Sequence, residues 1–175
     1  MYDIIGYLLT LVMLVLFLRE LAKKKKRNHF QQYDLSDPNN QLRFVSNASF
    51  KSKPLMERKV AHVFYDIENK LKARDLGERV FSEVALGAYL NTVQRDDNAF
   101  KSINSKRCDF LIINRYGQPI CAVEYQGKEH YQGTARHRDA IKAIAHEKAG
   151  VAFLELFPED SKDIIHAKLE RALAA

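Results

Sequence analysis

"CDFLIINRYGQPICAVEYQGKEH", residues Cys108–His130, decides how this chain folds. Two apolar runs, Arg107–Asn114 and Pro119–Tyr125, flank the turn RYGQ, which reads as a β-hairpin. In the first run Asp109, Leu111 and Ile113 share one face, and Cys108, Phe110 and Ile112 the other. In the second, Ile120, Ala122, Glu124 and Gln126 oppose Cys121, Val123 and Tyr125. Both faces are apolar, so both strands belong at the centre of a sheet covered on two sides. Each strand nevertheless carries one acid, Asp109 or Glu124. A carboxylate there is costly unless it is paired or bound to a cation. Two carboxylates close together also repel, and a divalent ion removes that repulsion. Near the same end of adjacent strands, Asp109 and Glu124 can share one ion. The competing reading is a structural pair neutralised by Lys106, Arg107 or Lys142.

The flanking segments supply the layers. Pro54 suits a helix first turn, and Val60, Ala61, Phe64, Ile67 and Leu71 recur at helical spacing, which predicts a helix over 54–73. Glu57 sits at the start of that apolar stripe and adds a third carboxylate; a solvated acid near the helix dipole is the alternative. A strand is expected over 80–86, a short helix around 92–97, a helix over 136–149 stopped by Gly150, a strand over 151–157 and a last helix over 160–173. Helix, three strands, helix, strand, helix is the order of an α/β domain with a mixed sheet.

The chain has 175 residues, 46% hydrophobic and 29% charged, which fits a domain with a real core. Its net charge of +6 is uneven. Residues 1–30 hold six basic and two acidic side chains (+4), and the rest 22 basic and 20 acidic (+2). Overall basicity therefore says little about a nucleic-acid-binding face. Two cysteines, Cys108 and Cys121, read as buried thiols rather than a disulfide or zinc framework.

"IIGYLLTLVMLVLFL" (Ile4–Leu18) has no charge and, with Tyr2 and Asp3, reaches the lower limit of a membrane span of roughly 17–25 residues. It lacks a basic n-region and a small-residue cleavage site, so the expectation is an uncleaved anchor. Lys23–Arg27 then place residues 28–175 on the cytoplasmic side of a bacterial inner membrane, with the N-terminus outside. The same cluster reads as contact with anionic headgroups. Residues 28–52 read as a polar linker, and 53–175 as the globular domain.

In its order of motifs this chain resembles the PD-(D/E)XK nuclease superfamily, the restriction-endonuclease-like group with an αβββαβ core. It resembles more closely a bacterial family, domain of unknown function 2726, which looks related to very-short-patch-repair-type endonucleases. The residues that carry the likeness are "ERK" at Glu57, "RCDFLI" at Asp109, "AVEYQGKEH" from Glu124 to His130, "RDAIK" at Asp139 and Lys142, and "AGVAFLEL". They span Lys53–Phe157 and leave out the N-terminal segment. The resemblance implies a restriction-endonuclease-like domain, which follows the single transmembrane helix expected from residues 4–18. It also implies that Asp109 and Glu124 bind Mg²⁺ or Mn²⁺ and that Glu57 is a supporting or second-ion carboxylate.

There is one departure. Gln126 stands where the superfamily's E-x-K motif has lysine. Gln126 can position water but brings no charge; Lys128 and His130 are the candidate substitutes, His130 as a general acid or base. Gly127 interrupts the alternation that would align them. Lys106, Arg107, Arg136, Arg138 and Lys142 suit phosphate contacts, with Tyr125 and Tyr131 able to stack on bases. The expected activity is metal-dependent phosphodiester hydrolysis, with DNA as the partner and RNA as the alternative. The rival reading is a non-catalytic nucleic-acid or protein interaction module of the same fold.

Overall fold

The computed structural model describes residues 2–127 and 135–174. The chain divides into two compact units, Met1–Ser52 and Lys53–Ala175.

In the first unit, α1 (Tyr2–Gln32) is one continuous helix and α2 (Pro38–Ser46) is short. Asp37 caps α2 by accepting the Asn39 N–H at 2.9 Å, and Pro38 opens the helix. Much of the expected linker is thus helical, because a local Asp-Pro start signal suffices where apolar periodicity is absent. No helix among the described residues is long and apolar enough to cross a membrane. The charge-free run Ile4–Leu18 is about 22 Å long at 1.5 Å per residue, short of a hydrocarbon core of about 30 Å. Beyond it the same helix carries Arg19, Glu20 and Lys23–Arg27. The transmembrane helix and the single-pass inner-membrane location expected above are overturned by this finding.

In the second unit a four-stranded sheet has the order β1-β2-β3-β4. The strands are β1 (Arg79–Ala85), β2 (Arg107–Ile113), β3 (Pro119–Tyr125) and β4 (Ala152–Leu156). β1·β2 and β2·β3 are antiparallel and β3·β4 is parallel, so the α/β fold has a mixed sheet. The hairpin turn is held by Asn114, whose Oδ1 accepts the N–H groups of Tyr116 and Gln118, with Gly117 at φ +82°. β2 and β3 lie in the middle of the sheet, where their two-faced apolar pattern belongs.

Helices cover both faces. On one side α3 (Arg58–Arg74) and α6 (Lys162–Leu173) bury Val63, Ile67, Leu71, Ile165 and Leu169 against Phe110, Ile112, Cys121, Val123 and Leu156. On the other, a 3-10 turn (Leu86–Ala88), α4 (Asp97–Asn104) and α5 (Ala135–Ala149) cover Leu111, Ala122 and Val151. α4 begins later than its sequence suggested, because Asp96 caps it by accepting from Asn98 N and Ala99 N, each at 3.0 Å. α3 also begins late: Glu57 is its N-cap residue, in extended backbone, and Pro54 lies outside it. Gly150, at φ +68°, ends α5 and turns the chain into β4.

Candidate functional site

Strict alternation fails at Ile120, beside a register shift in the β2–β3 ladder, and again at Cys108, and the site is at the second place. Cys108 packs in the Leu111 cluster rather than with Phe110 and Ile112. On the neighbouring strand Ser82 pairs with Phe110 and Val84 with Cys108, and Glu83 between them has φ +57°. A non-glycine residue in left-handed backbone within a strand is strained by about 1–3 kcal/mol. The β2–β3 ladder ends at the Phe110–Val123 rung. One residue further, Asp109 Oδ2 accepts the Tyr125 N–H at 2.7 Å, so a side chain takes the amide that continued pairing would use.

A cleft of about 1010 Å³ opens at this end of the sheet. It is lined by Glu57 at the start of α3, Glu83 of β1, Asp109 of β2, Glu124 and Tyr125 of β3, and Gln126 just beyond. Ser105, Lys106 and Arg107 line it from the start of β2, and Arg138, Asp139 and Lys142 from α5. Carboxylates from three strands and a helix start thus line one cleft with basic groups from the start of β2 and from α5.

Glu124 is 5% exposed. Its Oε2 accepts from Lys142 Nζ at 2.5 Å, and Lys142 also approaches Asp139 Oδ1 at 3.7 Å. The other oxygen, Oε1, is buried without a hydrogen-bond partner. Burial pushes the Glu124 carboxyl up to about 7; Lys142 pulls it down and Asp109 and Asp139 push it further up. Such a group gains much from a second cation.

Lys142 is held from behind. His146, one turn along α5, is fully buried and places Nδ1 2.6 Å from the Lys142 carbonyl oxygen. The carbonyl only accepts, so Nδ1 carries the proton, and Tyr89 Oη donates to Nε2 at 2.7 Å. Burial lowers the His146 pKa, consistent with a neutral ring. Phe153 stacks on that ring with centroids 5.2 Å apart.

Oxygen donors of this kind suit a hard cation such as Mg²⁺ or Mn²⁺, and an unpartnered carboxylate oxygen is where one would attach. Among the described residues no three His, Cys, Asp or Glu side chains cluster closely enough to hold an ion by themselves. Asp109 and Glu124 are the residues that would hold such an ion, with water completing its shell.

The family described as protein of unknown function, DUF2726, matches residues 52–173. The chain belongs to DUF2726. The DUF2726 match begins and ends within a few residues of the second compact unit. Across 169 residues the chain is 33% identical to an uncharacterized protein of Haemophilus influenzae, covering 89% of this chain and 88% of that one. Across 130 residues it is 32% identical to an uncharacterized protein of Sinorhizobium fredii, covering 71% of this chain and 93% of the relative. No solved structure matches.

The remaining sequence candidates divide. Asp109, Glu124, Gln126, Lys106, Arg107, Arg138 and Lys142 all line the cleft. Glu57 does too, from an exposed N-cap position rather than from the core stripe of a helix. Gln126 is tied down: its Nε2 donates to Glu155 Oε1 at 2.9 Å, and its N–H donates to the Leu156 carbonyl. Arg136 is exposed and does not line the cleft. Lys128, His130 and Tyr131 lie outside the described residues. Tyr125 is half-buried and meets His62 edge-on, so one side of its ring is packed. Sequence reasoning missed Glu83 as a cleft residue, because nothing in "FSEVAL" signals left-handed backbone. Tyr89 and His146, 57 positions apart, could not be paired before the fold was known.

Proposed function

We propose that this protein hydrolyses phosphodiester bonds of nucleic acid, DNA in the first place and RNA as the alternative substrate, with Mg²⁺ or Mn²⁺ held by Asp109 and Glu124. One observation carries the reading: two carboxylates from adjacent central strands share a cleft wall with four basic side chains. The resemblance of the motif order to the PD-(D/E)XK superfamily supports the same reading. The ion would supply charge for the developing phosphate negative charge and lower the pKa of an attacking water. The chain's own residues do the rest. Asp109 and Glu124 orient the ion, and Lys106, Arg107 and Arg138 hold backbone phosphates at the mouth. Gln126, with its Nε2 on Glu155, presents only its remaining amide groups to water.

That last feature favours a second reading, a non-catalytic module that grips nucleic acid or protein in the same cleft. The test is to incubate the full chain with plasmid, single-stranded DNA and RNA in Mg²⁺, Mn²⁺ or EDTA, beside Glu124→Ala. Metal-dependent cutting lost in the variant is the expected result. Salt-dependent binding without cutting would leave the binding module in its place.

A further inference from the structure

The cleft has two walls of different chemistry. Arg138, Asp139 and Lys142 of α5 line it on one face of the sheet. On the opposite face it is lined by Met56 and Val60 around the start of α3, by Tyr125 at the end of β3 and by Pro158 between β4 and α6. Met56, Val60 and Tyr125 are half-buried and pack inward against the Phe110 cluster, and each turns the rest of its surface to the cleft. His62 meets the Tyr125 ring edge-on, with centroids 6.4 Å apart and planes at 88°, and steadies it. Phosphates and divalent ions gain nothing from apolar surface, which favours a ligand that removes it from water.

The apolar wall begins beside the carboxylates. The Tyr125 N–H donates to Asp109 Oδ2 at 2.7 Å, and Glu124 precedes Tyr125 on the same strand with its side chain on the other face. A ligand that touches both walls carries an anionic group and, close to it, a flat apolar one. A nucleotide has that composition: a phosphate and, joined to it through one sugar, a base with a π-face.

We propose that Met56, Val60, Tyr125 and Pro158 form a subsite for one unstacked nucleobase, so that the ligand of the cleft is a single strand rather than the interior of a duplex. This rests on the reading above that the cleft takes nucleic acid, whether or not it cuts it. The base lies against the Tyr125 ring, and its phosphate lies towards Arg107 and Arg138. In a duplex each base is stacked and paired, and leaving the stack to reach this wall has a free-energy cost that a single strand does not bear. The subsite tolerates any sequence, because every base offers a π-face.

The experiment compares three end-labelled ligands of the full chain by fluorescence anisotropy: a short single strand, a strand of the same length without bases, and the matching duplex. Ca²⁺ replaces Mg²⁺ so that an oxygen-seeking ion is present, and gels check that the strands stay whole. The parent should bind the intact strand about 5-fold to 100-fold more tightly than the abasic one, the range that one base–aromatic stack supplies. It should bind the duplex about tenfold more weakly than the intact strand, or weaker still. Tyr125→Leu should bring the intact strand down to the abasic affinity and leave abasic binding unchanged, whereas Tyr125→Phe should keep the parental difference. An RNA strand in a parallel arm identifies which sugar accompanies the base, and base-dependent binding of either strand supports the subsite. Equal affinity of the parent for intact and abasic strands would overturn it, as would tighter binding of the duplex, and neither result depends on a variant that folds. Cutting in Mn²⁺ alongside such a result would show that hydrolysis survives without the subsite. A parent chain that binds none of the ligands would instead remove nucleic acid from the cleft, and the base subsite with it.

Discussion

Asp109 accepts the backbone N–H of Tyr125 at 2.7 Å, at the point where the ladder between their two strands stops. One of its carboxylate oxygens is thereby committed to the fold, and the other is left for the cleft.

Replacement of Asp109 should therefore separate structure from ligation. Asp109→Asn keeps an oxygen for the Tyr125 amide but loses the charge. It is expected to melt close to the parent and to lose Mn²⁺ binding at least tenfold by calorimetry. Asp109→Ala also abandons the amide and should cost about 1–3 kcal/mol in urea unfolding. An Asn variant that binds Mn²⁺ as tightly as the parent would show that the ion site is elsewhere.

The carboxyl of Glu124 titrates near 7 in the folded chain, above its ordinary 4.5. The folded state thus holds this proton more tightly than the unfolded state does. Its contribution to stability is full below about 4.5 and is lost as pH rises through about 7, a change on the order of 3 kcal/mol. In EDTA, the stability of Glu124→Gln relative to the parent should improve between pH 5 and pH 8, measured by urea unfolding. Saturating Mn²⁺ should reduce that difference by holding the charged carboxylate, and parental Mn²⁺ affinity should rise over the same interval. A difference that does not vary with pH would argue against the raised pKa.

Glu83 stores strain beside the site, at φ +57°. Glycine tolerates this backbone and a β-branched residue does not. Glu83→Gly should therefore be stabilising by up to about 1 kcal/mol despite the entropy of glycine. Glu83→Val should be destabilising by at least about 1 kcal/mol. Urea unfolding of both variants checks the pair, and equal stabilities would mean that no strain resides there.

The parts of the fold that could be read in advance were those governed by short-range alternation. β3 runs from Pro119 to Tyr125 as its pattern requires, and Gly150 ends α5 where glycine allows left-handed backbone. The start of α4 shifted because Asp96 caps it, and α2 was missed because Asp37 and Pro38 start a helix where no apolar periodicity signals one. The N-terminal run misled because Ile4–Leu18 had to be extended through Tyr2 and Asp3 to reach even the lower limit of a span. Within the site, Asp109 and Glu124 were conspicuous as acids on apolar strands. The cost of burying Glu124 was visible too, and Lys142 was one of three cations named to offset it; only the return of α5 over the sheet, which brings together residues 18 apart, selects Lys142 over Lys106 and Arg107.

The mixed pairing of the sheet carries a consequence for how the site assembles in time. β1, β2 and β3 meet through antiparallel contacts, whereas β4 reaches β3 only after the chain has passed through α5. The β2–β3 hairpin closes a loop of a few residues and the parallel contact a much longer one, so the former has the smaller entropic barrier. Asp109 and Glu124 are then neighbours before Lys142 arrives, and the early hairpin carries two mutually repelling charges. Pulse-labelled hydrogen exchange should find β2 and β3 amides protected ahead of those in β4. Simultaneous protection of all strands would mean that the cleft forms in one step.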